Sequence, residues 1–321
     1  MQSLGGEPAP IRGFCYENDY AIVFTGLEMT EDIQDLAEKA QEIRRLVIRA
    51  VHHAGAGHIG GPLSAADVLA ALYFRVLRID PKRPDWADRD RFILSKGHSS
   101  IGWYAALALR GYFPVEELLT FDSINSRLQG HPDMTVTPGV DMSTGSLGQG
   151  LSAGLGMALG SQLAGKDFHT WVMIGDGELH EGQIWEAIHT APRFGLGSLT
   201  AILDHNKLSQ FGWTFAPDGY AGSHREAPIQ NPAQKFRDFG WEAVEIDGHD
   251  MEQILAACDS ARRAVSVPTV IVAHTVKGKG VSFMEGQYVW HSKPITDEDL
   301  RAALAELNGM PGETIRDGEA S

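Results

Sequence analysis

Ile33, Leu36, Ala37, Ala40, Ile43, Val47 and Val51 recur at the three-and-four spacing of a single helical face, which predicts one long amphipathic helix. Thr30 stands where a cap would accept the first free N–H groups, with acids in the first turn and arginines near the end. The helix is therefore placed from Thr30 onward. Ser64 with Asp67 three residues on reads as a capping box opening a second helix through Leu77. Asp80 to Asp90 is a polar, proline-containing loop, and "RFILSKGH" after it reads as a strand and turn. Between Gly148 and Gly165 glycine and alanine alternate with Leu and Met at helical spacing. That pattern predicts a packed helix that lets a neighbouring backbone come close.

The most regular stretch follows. An apolar run "TWVMI" leads into the turn "GDG", a helical pattern from Glu181 to Phe194, and a second apolar run "LTAIL" ending in "DHNKLS". This is a βαβ unit. Further strands are expected in "VEIDG" and "PTVIVAHTV", each after helical sequence, and a last helix from Asp297 to Leu307 capped by Thr296. Such alternation predicts the α/β class, with a parallel sheet and helices on both faces. Residues 1–29 carry scattered Gly and Pro without a sustained period and read as an N-terminal extension or arm, with Met29 an alternative initiator. One domain then spans 30–307, and the polar, glycine-rich residues 308–321 are expected to be a flexible tail.

Composition narrows the partners. With 27 Lys and Arg against 42 Asp and Glu, the net charge of -15 argues against nucleic acid or an anionic membrane surface as partner. No apolar run approaches a membrane span, and the N-terminus lacks a secretory pattern. Cys15 and Cys258 form no metal or disulfide framework, so the expected compartment is the cytoplasm.

Asp176 falls just after one predicted strand and Asn206 just after the next. A right-handed crossover sets both at the same sheet edge, where their oxygens can reach one ion. A carboxylate, an amide oxygen and a main-chain carbonyl make an incomplete hard shell, suited to Mg²⁺ or Ca²⁺ when a ligand's phosphates complete it. Gly175 and Gly177 allow the sharp turn and close approach to phosphate, and the next helix presents its N-terminus to an anion.

The string "GDGELHEGQIWEAIHTAPRFGLGSLTAILDHNKLS" resembles the thiamine-diphosphate motif. The resemblance implies Asp176, Asn206 and the carbonyl of Leu208 as metal ligands, with Gly177 at the diphosphate. "GHIGGPLS", "LSKGH", "QGHP" and "TGSLGQG" resemble transketolase signatures, in transketolase order, from about Thr30 to Leu307. A thiamine-diphosphate-binding fold is thus implied. By the same resemblance His58 and His291 lie near the reactive carbon of the cofactor, His131 faces substrate, and His98 lies near diphosphate and substrate. Gly145 and Leu147 would line the cofactor, and Glu181 would join a carboxylate relay. Histidines suit the chemistry, since ketol transfer moves protons between groups that titrate near neutrality. His52, His53, His169, His189 and His274 read as structural, while His180, His205, His224 and His249 stay unassigned.

Transketolases carry a pyrimidine-binding domain that this sequence lacks. The resemblance therefore implies a partner chain, an α₂β₂ assembly and sugar phosphate substrates. Ser146 stands where a proline is frequent, and residues 209–232 form a longer loop than in most relatives, read as a surface or interface loop with a lid as the alternative. The rival readings are the α-subunit of a 2-oxo-acid dehydrogenase, against which the histidine motifs tell, and a non-catalytic cofactor-binding scaffold.

Overall fold

The computed structural model describes residues 26–210 and 229–309. The expectations for the arm before residue 26, for most of the 209–232 loop, for His224 and for the tail after residue 309 fall outside these residues.

Five strands form one sheet: β1 (Arg91–Leu94), β2 (Thr170–Gly175), β3 (Leu199–His205), β4 (Glu242–Asp247) and β5 (Thr269–His274). They lie in the order β1-β2-β3-β5-β4, and every pairing is parallel. Among the described residues eight α-helices accompany them: α1 (Gly26–Ala54), α2 (Gly60–Ala71), α3 (Ser100–Arg110), α4 (Gln149–Leu163), α5 (Gly182–Thr190), α6 (Pro232–Asp238), α7 (Met251–Arg262) and α8 (Asp297–Leu307). Side chains alternate across each strand, so the sheet feeds two cores. Trp171, Met173, Ile202 and Ile271 pack with residues of α1, α2, α3, α7 and α8. Val172, Ile174, Leu203 and Val272 pack with residues of α4, α5 and α6. Helices thus cover both faces, as the βα alternation predicts. Among the described residues no helix is long and apolar enough to cross a membrane.

Two local expectations are corrected, and one helix was missed. Helix α1 begins at Gly26, so Thr30 lies inside it, and the expected start at residue 30 falls within the helix. Helix α2 begins at Gly60 without a side-chain cap. Ser64 is therefore helical: its hydroxyl donates to the Gly61 carbonyl at 2.9 Å and to the Asp204 carboxylate at 2.7 Å. Asp67 turns instead to Arg44 of α1 and, at 2.6 Å, to His249. The tertiary partner of each side chain outcompetes the local cap. Helix α3 was not foreseen, because "SIGWYAALALR" is buried through its first nine positions and has no polar face to mark its period. At the far end, Thr296 does cap α8, with a reciprocal bond to Asp299.

Candidate active site

Loops leaving the carboxyl ends of parallel strands meet at one edge of the sheet, and ligands of open α/β sheets bind there. Gly175 pairs with Asp204 across β2 and β3, so Asp176 and Asn206 emerge side by side. Asp176 is buried, and one carboxylate oxygen accepts the Gly177 N–H at 2.7 Å while the other accepts the Lys207 N–H. Burial first, and then the Asp204 carboxylate, push its pKa up. Such an anion calls for a cation. The Asn206 side-chain oxygen accepts the Leu208 N–H at 3.1 Å.

Lys277, just beyond β5, reaches into the same place. Its ammonium donates to the Leu208 carbonyl at 3.4 Å, the Ser209 carbonyl at 3.0 Å and Nδ1 of His291 at 3.0 Å. Burial lowers its pKa, against the pull of Asp176. A lysine ammonium has no acceptor capacity, so Nδ1 of His291 accepts and the ring proton resides on Nε2. The Asp176, Asn206 and Leu208 oxygens fit a hard divalent cation. Among the described residues no group of three His, Cys, Asp or Glu could hold a metal, so any ion here relies on the amide and carbonyl oxygens and on its ligand.

The histidines gather beside this set. His58 lies 5.0 Å from His98 and 4.9 Å from His291 between ring centroids, His98 lies 5.2 Å from His291, and His131 is 6.4 Å from His58. The first three are half-buried and His131 is exposed. Burial, then Lys96, lowers the pKa of His98 to about 2, and burial, then Lys277, lowers that of His291 to about 3. Burial and then His131 lower that of His58. These rings are neutral at pH 7, each with one donor and one acceptor nitrogen.

Glycine makes the approach possible. A Cβ at Gly60 would stand 2.8 Å from the Lys277 side chain, and one at Gly145, where φ is +155°, would stand 2.9 Å from the His131 ring. Leu147 is half-buried and its carbonyl accepts from Gln183 at 2.7 Å. Glu181 is exposed at the start of α5, beside Gly148.

Sequence reasoning missed a layer beneath these groups. Asp204 is fully buried and accepts from Lys96, from Ser64 at 2.7 Å, from Thr275 and from Asn206 at 3.3 Å. Burial alone would raise its pKa, but the charge of Lys96 together with the hydrogen bonds from Lys96, Thr275 and Ser64 outweighs that and holds it low. Lys96 sits inside "LSKGH" and Lys277 directly after a strand end, which is the signal that could have found both. Of the unassigned histidines, His249 accepts the Val276 N–H at 2.9 Å and bonds Asp67, thereby anchoring the Lys277 loop. His205 faces His274 at 3.3 Å. His52 bonds Asp297 at 2.7 Å and His169 bonds Thr200 at 2.7 Å, both structural, as expected.

Known proteins place this geometry. Residues 36–315 match the family model described as transketolase, thiamine diphosphate binding domain. A 6-deoxy-6-sulfo-D-fructose transketolase subunit from a Clostridium species is 45% identical over 87% of this chain and 98% of its own length. An apulose-4-phosphate transketolase subunit from Phocaeicola vulgatus is 37% identical over 86% of this chain and 95% of its own. Among solved structures, a Pichia stipitis transketolase variant superposes with a TM-score of 0.77 at 35% identity, covering 87% of this chain and 41% of that one. The Campylobacter jejuni transketolase gives 0.77 at 32% identity, covering 87% and 43%. The chain therefore spans about two fifths of the solved transketolases it matches. It belongs to the transketolase family, whose members are transferases, and corresponds to the family's N-terminal, thiamine-diphosphate-binding half.

Proposed function

We propose that this chain is the N-terminal subunit of a split, cytoplasmic transketolase, which moves a two-carbon ketol unit from a ketose phosphate to an aldose with thiamine diphosphate and Mg²⁺. The observation that carries the reading is the meeting of four histidines and Lys277 with Asp176, Asn206 and Leu208 at one sheet edge.

Asp176, Asn206 and the Leu208 carbonyl would hold the metal, with Gly177 at the diphosphate, and Lys96 and Lys277 add positive charge to a chain of net charge -15. The cofactor, when bound, supplies the electron sink for carbon–carbon cleavage. His58 and His98, held neutral by burial, take the proton of the ketose hydroxyl and return one to the acceptor carbonyl, while neutral His291 serves as a hydrogen-bond donor to a substrate oxygen. Lys277 fixes the ring proton of His291 on Nε2, which makes that nitrogen the donor. His131, exposed at the mouth, meets substrate, while Gly145 and Leu147 line the cofactor. Glu181, exposed at the N-cap of α5, would join a carboxylate relay to a neighbouring chain. A partner chain carrying the pyrimidine-binding domain completes an α₂β₂ enzyme. The names of the two relatives, each a transketolase subunit, support a separate partner.

The test is a two-carbon transfer assay with thiamine diphosphate and Mg²⁺, run on this chain alone and mixed with its partner. Donors are xylulose 5-phosphate and 6-deoxy-6-sulfo-D-fructose, and ribose 5-phosphate is the acceptor. Activity confined to the mixture is expected. His291→Ala in that mixture should lower turnover about 10²- to 10⁴-fold with cofactor retained. Transfer by the chain alone would refute the shared site.

A further inference from the structure

Glu178 follows the metal-site turn, and its side chain is buried, at 2% exposure. It folds back under the site instead of facing solvent. One carboxylate oxygen accepts the Gly148 N–H at 2.7 Å and the Ser95 hydroxyl. The other accepts the Gly175 N–H at 3.0 Å. Each donor sits next to a residue of the candidate site. Ser95 precedes Lys96 in the loop that carries His98, Gly148 follows Leu147, and Gly175 precedes Asp176. Three loops from distant parts of the sequence thus converge on one acid.

We propose that Glu178 is a positioning residue for the cofactor site: its carboxylate ties together the loops carrying Lys96 and His98, Leu147, and Asp176. The inference rests on the thiamine-diphosphate reading above. The β1 and β2 ladder ends at Ser95 and Gly175, so the turns beyond have no register partner of that kind, and an acceptor-only carboxylate satisfies three buried donors at once. With it gone, the turns carrying Lys96, Leu147 and Asp176 lose the side-chain tie that joins all three and shift relative to one another. Such outer-shell partners typically change metal or cofactor affinity by about 10- to 100-fold.

Asp90 supplies an internal control. It is as deeply buried, at 1% exposure, and likewise joins three segments, accepting from Arg78 N at 2.8 Å, His169 N at 2.9 Å and Arg262 at 2.7 Å. It does so where β1 and β2 begin, at the opposite edge of the sheet from Asp176.

The experiment is calorimetric titration of thiamine diphosphate, with Mg²⁺, into the full chain mixed with its partner chain, together with amide hydrogen exchange on the full chain. Glu178→Ala should raise the cofactor Kd about 10- to 100-fold and speed exchange at Gly148 and Gly175. Glu178→Gln, of equal size but with a donor in place of one acceptor oxygen, should lose part of that affinity and remains informative if the alanine variant fails to fold. Asp90→Ala should lower the melting temperature without changing the Kd. A wild-type Kd in both Glu178 variants, or an equal loss in Asp90→Ala, overturns the positioning role. Absence of binding by the wild type instead refutes the cofactor reading, and the exchange measurement still decides whether Glu178 holds the loops.

Discussion

A buried histidine reports on the fold through its proton. His169 lies under Thr200, and burial, then the charge of Arg262, lowers its pKa from 6.5 to about 3. As pH falls below 6.5 the unfolded chain takes up this proton first, so folding stability declines between about 6.5 and about 3 and the decline ends when both states hold it. One fully linked proton amounts to about 1.4 kcal/mol per pH unit. His169→Gln should therefore flatten the slope of unfolding free energy against pH by up to that amount; an unchanged slope would mean the ring is not kept neutral. His169 was legible as structural because it precedes an apolar strand outside any chemical motif. Lys277 was harder to read as a site residue: its place after a strand end is the one local mark in "TVKGKG", and its importance arises from His291, fourteen positions on, and from Leu208, sixty-nine positions back.

Elements were read well where local chemistry decides them and poorly where a distant partner does. Thr296 accepts the Asp299 N–H at 3.1 Å, and the Asp299 carboxylate accepts the Thr296 N–H at 3.0 Å. Both partners lie within four residues, so the start of α8 is written in the sequence. The similar pattern at Ser64 and Asp67 misled, because Asp204 lies 140 positions from Ser64 and His249 lies 182 positions from Asp67. The cap at α8 also has a tertiary neighbour, since Asp297 of its first turn bonds His52 of α1. Thr296→Ala should cost about 1 kcal/mol, read as a shift of the denaturation midpoint at constant slope. A loss several times larger would show that the cap also holds α8 against α1.

At the scale of the molecule, an acidic chain is asked to hold an anionic cofactor. The parallel sheet resolves the conflict by bringing the ends of β2, β3 and β5 together, so that Asp176, Asn206 and Lys277 share one locality inside a surface of opposite sign. This convergence was legible in outline from the βαβ unit, but its charge balance was not, because Lys96 and Asp204 meet only in three dimensions. Lys96 and Lys277 are already engaged by Asp204 and by carbonyl oxygens. They are not free to offset both Asp176 and a diphosphate, and in the proposed function a divalent cation held by Asp176, Asn206 and Leu208 would supply the missing charge. Chelation of the assembled enzyme should then release thiamine diphosphate and remove the stabilisation that binding confers, about 2.7 kcal/mol at a hundredfold excess over Kd. Mg²⁺ or Ca²⁺ should restore both. Asp176→Ala should behave as the chelated enzyme does and gain nothing from added metal. If the cofactor stays bound through chelation while the melting temperature holds, the lysines suffice, and the Asp176 carboxylate must be balanced by a proton instead of a metal ion.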